Sequence, residues 1–269
     1  MNLRDRWRNK FRTPVVDYAR GKGEFKSMIR IVFGVFTLLA LLISTPLALA
    51  QEKTGAKEGF FLNPDSVRIA LLDPRVRVGE QSTGGMFEPN ADWTEQAREN
   101  IEAELSKSLQ NVGNEVIRLD LNVTPDADSL RRYNHLFGAV AGSVVEFQFF
   151  HGNRLPSKKK EETFSWSVGT GLKDIPALEG FDYILLIRTS DAYGSTGRKM
   201  LQVVGLLGGI GVTSGEHTGM AGLIEVETGD LVWLNADLQM GGDPRTAEGA
   251  EKRVKQLLEG FPGREGEQE

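Results

Sequence analysis

From Trp93 to Leu109 an apolar residue returns at every fourth position: Trp93, Ala97, Ile101, Leu105, Leu109. This spacing keeps one stripe on one face of a helix. The segment opens with Asp92 as N-cap and Glu95 three residues on, and it ends at Gly113. A second stripe, Ala247, Ala250, Val254, Leu257, Leu258 and Phe261, follows Asp243 as N-cap and Pro244 at the first helical position, and Gly260 and Pro262 close it. Between them, "DADSLRRYNHLFGAVAGSVVEFQFF" reads as a helix starting near Asp126 or Asp128. Gly138 and Gly142 in it are four apart, the spacing of a close helix contact.

Other stretches are apolar without that period. "SVRIALLD" (66–73), "EVIRLDL" (115–121) and "FDYILLIRTSD" (181–191) are short and rich in β-branched residues, as buried strands are. "MAGLIEVETGDLVWLNADLQM" holds two such runs joined at Glu227-Thr228-Gly229-Asp230, a hairpin in which Gly229 supplies the positive φ of a tight turn. After Pro74 the chain reads as a long loop with Gly79, Gly84, Gly85 and Pro89. The pattern predicts an α/β (α+β) fold: one two- or three-layer domain with a mixed sheet of four to six strands, helices packed on it, and a late hairpin followed by a helix.

The ends of the chain are set apart. "IVFGVFTLLALLISTPLALA" (31–50) has no charge, follows Lys26 and Arg30, and closes with Pro46 and Ala48-Leu49-Ala50. A basic flank, an apolar core and an A-x-A site describe a signal peptide cut before Gln51, for a periplasmic protein. The other reading is an uncleaved N-terminal anchor in the inner membrane. The division expected is a basic extension (1–27), a signal peptide or anchor (28–50), a linker (51–63), the α/β domain (64–262) and a polar tail (263–269). Translation can start at Met1 or at Met28.

The leader holds nine of the 32 basic and three of the 37 acidic residues, so the remainder carries 23 against 34, a formal charge of −11. An acidic domain argues against nucleic acid as a partner. The cluster Lys158-Lys159-Lys160 is followed at once by Glu161-Glu162. There is no cysteine, which excludes disulfides, thiol chemistry, cysteine-ligated zinc and a lipidated cysteine after the leader.

One stretch resists the pattern. "MLQVVGLLGGIGVTSGEHTG" (200–219) has no charge before Glu216. It is too short to span a bilayer. It lacks the lysine of a P-loop and, with Ser214 in place, the third glycine of a dinucleotide fingerprint. It reads as a short helix over 198–207, apolar on most sides and therefore expected to be buried, then a glycine loop. Alternatively, Leu201 to Val212 is an exposed insertion that touches a membrane or another subunit.

Chemistry-bearing constellations are few. His135, His151 and His217 fall into no ligand spacing, Ser214 lies outside a nucleophile elbow, and Asp126-Ala127-Asp128 lacks the rest of a calcium loop. No catalytic residue, cofactor or metal is therefore predicted. Asp191, Tyr193 and Arg198 cluster where the 181–191 strand ends, the end at which α/β sheets bind ligands. With Asp243 and Arg245 they are the candidate ligand or partner contacts.

The strand "VRIALLD", the helix after it, "EVIRLD" and the hairpin "GLIEVETGDLVWLN" with its helix resemble an α/β domain of bacterial envelope proteins. The type occurs in the N-terminal domain of the Tol-Pal β-propeller protein, in penicillin-binding-protein activator lipoproteins and in the curli-secretion lipoprotein. "LPSKKKEETFSWSVG", "SDAYGSTGR" and "TGDLVWLN…GGDPRT" resemble a group of exported proteobacterial proteins. The resemblance implies non-enzymatic work in envelope assembly or transport, with envelope proteins or a second copy as partner. The alternative is a small-molecule-binding protein or enzyme with its site near Asp191 and Arg198.

Overall fold

The computed structural model describes residues 53–63, 67–110, 113–154, 156 and 163–263. The leader, the Lys/Glu cluster and the last six residues lie outside them.

The strands are β1 (Thr54–Ala56), β2 (Arg68–Leu72), β3 (Arg75–Gln81), β4 (Phe87–Pro89), β5 (Glu115–Leu119), β6 (Tyr183–Gly194), β7 (Glu216–Glu225) and β8 (Leu231–Asp237). The helices among the described residues are α1 (Ala91–Leu109), α2 (Ala127–Val144), α3 (Thr196–Leu207) and α4 (Ala247–Leu257). One eight-stranded mixed sheet results, more than the four to six strands the pattern predicts.

Its axis is β6. On one side β6 pairs antiparallel with β7, β7 with β8, and β8 with β1. On the other side its first half pairs parallel with β2 and its second half parallel with β3. Strands β2 and β3 therefore lie end to end along one edge of β6, broken by Asp73-Pro74. Strand β5 pairs parallel with β2, and β4 antiparallel with β3. The sheet is thus split beyond β6, and the split opens a cleft at the carboxyl ends of β2 and β5.

Alternation along the strands sends side chains to two cores. Ile69, Leu71, Leu185 and Ile187 meet the stripes of α1 and α4. Ala70, Leu72, Ile184 and Leu186 meet Leu130, Phe137 and Ala141 of α2 and the irregular segment 164–178. The described residues form a three-layer sandwich.

Several details differ from the pattern. The loop expected after Pro74 is a hairpin of β3 and β4. "RVRVGEQ" alternates with period two, burying Val76 and Val78, but Pro74 reads as a full stop. The stretch read as a linker carries β1. Helix α1 is capped by Asn90, whose side chain accepts from the Trp93 amide, and α4 by Thr246, which accepts from the Gly249 amide. Asp92 and Asp243 are therefore not the caps. The 227–230 turn is as expected, with Gly229 at φ 72°. A Cβ there would also come within 2.0 Å of the Gly169 carbonyl oxygen, so the turn needs glycine twice over.

Candidate functional site

Three features at the carboxyl end of β6 and its neighbours bear on function. The first holds most of the residues singled out from sequence. Thr189, Asp191 and Tyr193 alternate toward α1 and α4. Asp191 and Arg253 of α4 are both fully buried, 2.7 Å apart. The Asp191 carboxylate accepts from Arg253 Nη1 and Nη2, from His217 Nδ1 at 2.8 Å and from Thr189 Oγ1 at 3.2 Å. The remaining Arg253 protons go to Thr189 Oγ1 and to the Gly241 and Gly242 carbonyls. All five donors of the guanidinium are used, which is what makes a buried ion pair tolerable.

Next to it, Tyr193 donates to Asp243 Oδ1 at 2.7 Å, and Arg245 grips the same carboxylate with Nε and Nη2. The Arg245 guanidinium lies 3.8 Å from the Tyr193 ring centroid and 4.4 Å from that of Trp93. The hydrogen bonds from Arg245 hold Asp243 down at about 2, against a smaller opposing effect of burial. Burial first, and the bond to Asp243 second, push the Tyr193 hydroxyl up. Tyr193, Asp243 and Arg245 are thus one cluster, joined to Asp191 through His217, whose ring is 4.9 Å from that of Tyr193.

Arg198 is apart from this cluster. Its Nε donates to the Thr213 carbonyl, and it ties the loop after α3 to Thr83. Asp191 and His217 are paired, but the nearby Ser214 hydroxyl is buried without a partner and does not hydrogen-bond the ring. The arrangement holds β6, β7 and α4 together. Sequence reading missed Arg253; the available signal was a charge three residues after Ala250, on the apolar stripe of α4.

The second feature is a cleft of about 490 Å³ between α1 and α2, at the carboxyl ends of β2 and β5. Open α/β sheets bind ligands at such a point. Arg118 spans its floor, 2.8 Å from both Asp73 and Glu102. Burial raises the Glu102 carboxyl above its ordinary range, opposed by Arg118.

The third feature is α3. Ser195 caps it by accepting from the Arg198 amide. It is helical where the pattern places a helix, but it is not buried. Of its residues Gly205 alone is buried, under the returning loop, where the Ile210 amide donates to the Gly205 carbonyl at 2.7 Å. Leu206 is 77% and Leu207 86% exposed, and Met200, Val203, Val204 and Ile210 are all more than half exposed. An all-round apolar helix is ordinarily a buried one; here the described residues offer nothing to bury it against. Among them no helix is long and apolar enough to cross a membrane.

No family model and no curated protein matches the sequence. Among solved structures, a PelC dodecamer from Paraburkholderia phytofirmans that carries a single leucine-to-methionine substitution is 12% identical and covers 78% of this chain and 98% of its own, with a TM-score of 0.34. A PelC dodecamer from the same organism in another crystal form has the same coverage and a TM-score of 0.32. PelC is none of the three envelope proteins that the sequence resembles.

Proposed function

We propose that the chain is a non-enzymatic interaction module of the cell envelope, working in the periplasm, and that α3 with its return loop engages the partner. The carrying observation is the exposed run Met200, Leu201, Val203, Val204, Leu206, Leu207 and Ile210 on one projecting element. Contiguous apolar surface of this kind marks a contact site. The partner is another envelope protein or a second copy of the chain. Asp191 is sealed by Arg253 and His217, which leaves its carboxylate no face for a small ligand.

The width of the apolar arc favours a second reading. At 100° per residue, the large apolar positions of α3 cover roughly 200° of the helix, wider than the stripe one flat interface uses. A lipid leaflet surrounds a helix on all sides. Twelve residues span about 18 Å, close to the ~15 Å of one leaflet's hydrocarbon, and Arg198 and Lys199 stand at the base, where snorkelling cations sit.

Sedimentation and vesicle flotation of the full chain and of Leu206→Asp/Leu207→Asp test both. Loss of self-association on substitution supports the protein contact, and loss of flotation supports the leaflet. Unchanged association and flotation would reject α3 as the contact.

A further inference from the structure

Three arginines stand on the α2 side of the central strands, and among the described residues no carboxylate meets them. Arg75 and Arg77 are two residues apart on β3 and share a face. Arg188 on β6 is the direct cross-strand partner of Arg75, and Ser190 that of Arg77. Like charges placed opposite each other in a ladder repel.

None of the three forms an ion pair among the described residues. Arg75 Nη1 sits 2.9 Å and 2.8 Å from the two ring nitrogens of His135. Arg77 lies 4.7 Å over the Phe87 ring. Arg188 Nη1 donates to the Asn134 carbonyl and to its side-chain oxygen, at 2.8 Å and 3.0 Å. Burial, and then the charges of Arg75 and Arg77, lower Arg188 to about 10.

The fold makes room for this charge instead of turning it outward. A Cβ at Gly138 would come within 2.7 Å of Arg188 Cζ. Residues Asn134 and Gly138, one turn apart on α2, thus seat the guanidinium. Before the three side chains lies a groove of about 170 Å³ that also takes in Ser190 and Thr218. It continues past Arg77 into a hollow of about 220 Å³ by Gln81, where, among the described residues, Glu216 is the one carboxylate on either lining. In a domain of net negative charge, this is a concentrated positive site.

We propose that the groove binds an oxyanion of the phosphate class, free or on a lipid headgroup, through Arg75, Arg77 and Arg188. Guanidinium forks match the tetrahedral oxygens of phosphate, two N–H bonds to a pair of oxygens. Ser190 and Thr218 add neutral donors on the same lining. A bound dianion also relieves the repulsion between the paired arginines. The inference stands apart from the role given to α3, whose exposed apolar face lies on another element.

Inorganic phosphate and pyrophosphate are titrated into the full chain by calorimetry and thermal melting. The expected result is saturable binding, tighter for pyrophosphate and weakened by salt. Arg75→Gln/Arg77→Gln should weaken it by more than about tenfold. The ligand-free Tm of that variant should be no lower than the parent's, because repulsion is removed; arginines with only a packing role would lower it. Arg98→Gln/Arg131→Gln, in the neighbouring cleft, should leave binding unchanged.

Flotation with phosphatidylglycerol and with phosphatidylcholine vesicles separates the sources. Loss of phosphatidylglycerol binding in Arg75→Gln/Arg77→Gln assigns the site to a headgroup. Loss of pyrophosphate binding alone assigns it to a free anion. Absence of any saturable response, or an equal response in Arg75→Gln/Arg77→Gln, overturns the proposal.

Discussion

At the scale of single residues, a fully buried charge is tolerable where every proton has an acceptor. Arg253 and Asp191 meet that condition, with five donors and two carboxylate oxygens all engaged. Arg253→Met leaves a buried carboxylate with His217 and Thr189 but no guanidinium, and the expected cost is about 3–5 kcal/mol in urea unfolding. Adding Asp191→Leu should recover much of that loss, since removing both charges costs less than stranding one. A result in which the double variant is as unstable as the sum of the singles would show that shape, not charge, governs the site. Asp243 gives a pH signature. Its folded pKa, about 2, lies below the ordinary carboxylate value, so its stabilisation is present at neutral pH and disappears as pH falls toward 2. Asp243→Asn should therefore be less stable than the parent at pH 7. It should lose less further stability between about pH 4 and pH 2. Thermal melts across that range check it.

At the scale of elements, what could be read from the sequence follows from where the burial signal comes from. Strands β2 and β6 and the β7–β8 hairpin are buried on both faces or closed by a glycine turn, and their composition says so. Strand β3 was readable too, in the alternation of Arg75, Val76, Arg77 and Val78, but a proline before it looks like an ending when the next strand runs on beside the same neighbour. The arginine groove was lost with it, because it exists only once β3 is laid against β6. Helix α3 is the opposite case: its apolar pattern is correctly helical, and burial does not follow, because the pattern tells which positions are apolar and not what covers them. Leu206→Asp then tests the element directly. A buried, unpaired carboxylate would cost several kcal/mol, whereas at an exposed site the change should stay within about 0.5 kcal/mol. Gly209 behaves differently. Its φ of 73° lies in the left-handed region, so Gly209→Ala should strain the turn that sends Ile210 back to Gly205. The expected effect is about 1 kcal/mol, read as a lower Tm.

At the scale of the whole molecule, the sheet edge constrains how the chain can be trimmed. Strand β1 is the last in the order and covers β8. Lys53 and Lys57 fasten it through ion pairs with Asp237 and Asp230, each at 2.8 Å. The Lys57 amide adds a bond to the Val232 carbonyl. Gly55 lets β1 press against Phe164 and Phe149, where a Cβ would be within 3.0 Å of both rings. The signal-peptide reading puts the new N-terminus at Gln51, two residues before Lys53. Cleavage there keeps the whole of β1, whereas a cut a turn further on would strip the edge. N-terminal sequencing of the protein from a periplasmic extract should therefore return Gln51, and recovery of the uncleaved chain in the membrane fraction would reject the reading. The edge itself can be tested on a chain that begins at Gln51. Deleting residues 51–57 leaves the ladder groups of β8 unpaired, an invitation to join another sheet. The deletion should cost on the order of 3 kcal/mol, a Tm drop of roughly 6–12 °C. It should also cause concentration-dependent association that Leu206→Asp/Leu207→Asp does not suppress. That last condition separates pairing at the β8 edge from any contact made by α3, which follows the carboxyl end of β6.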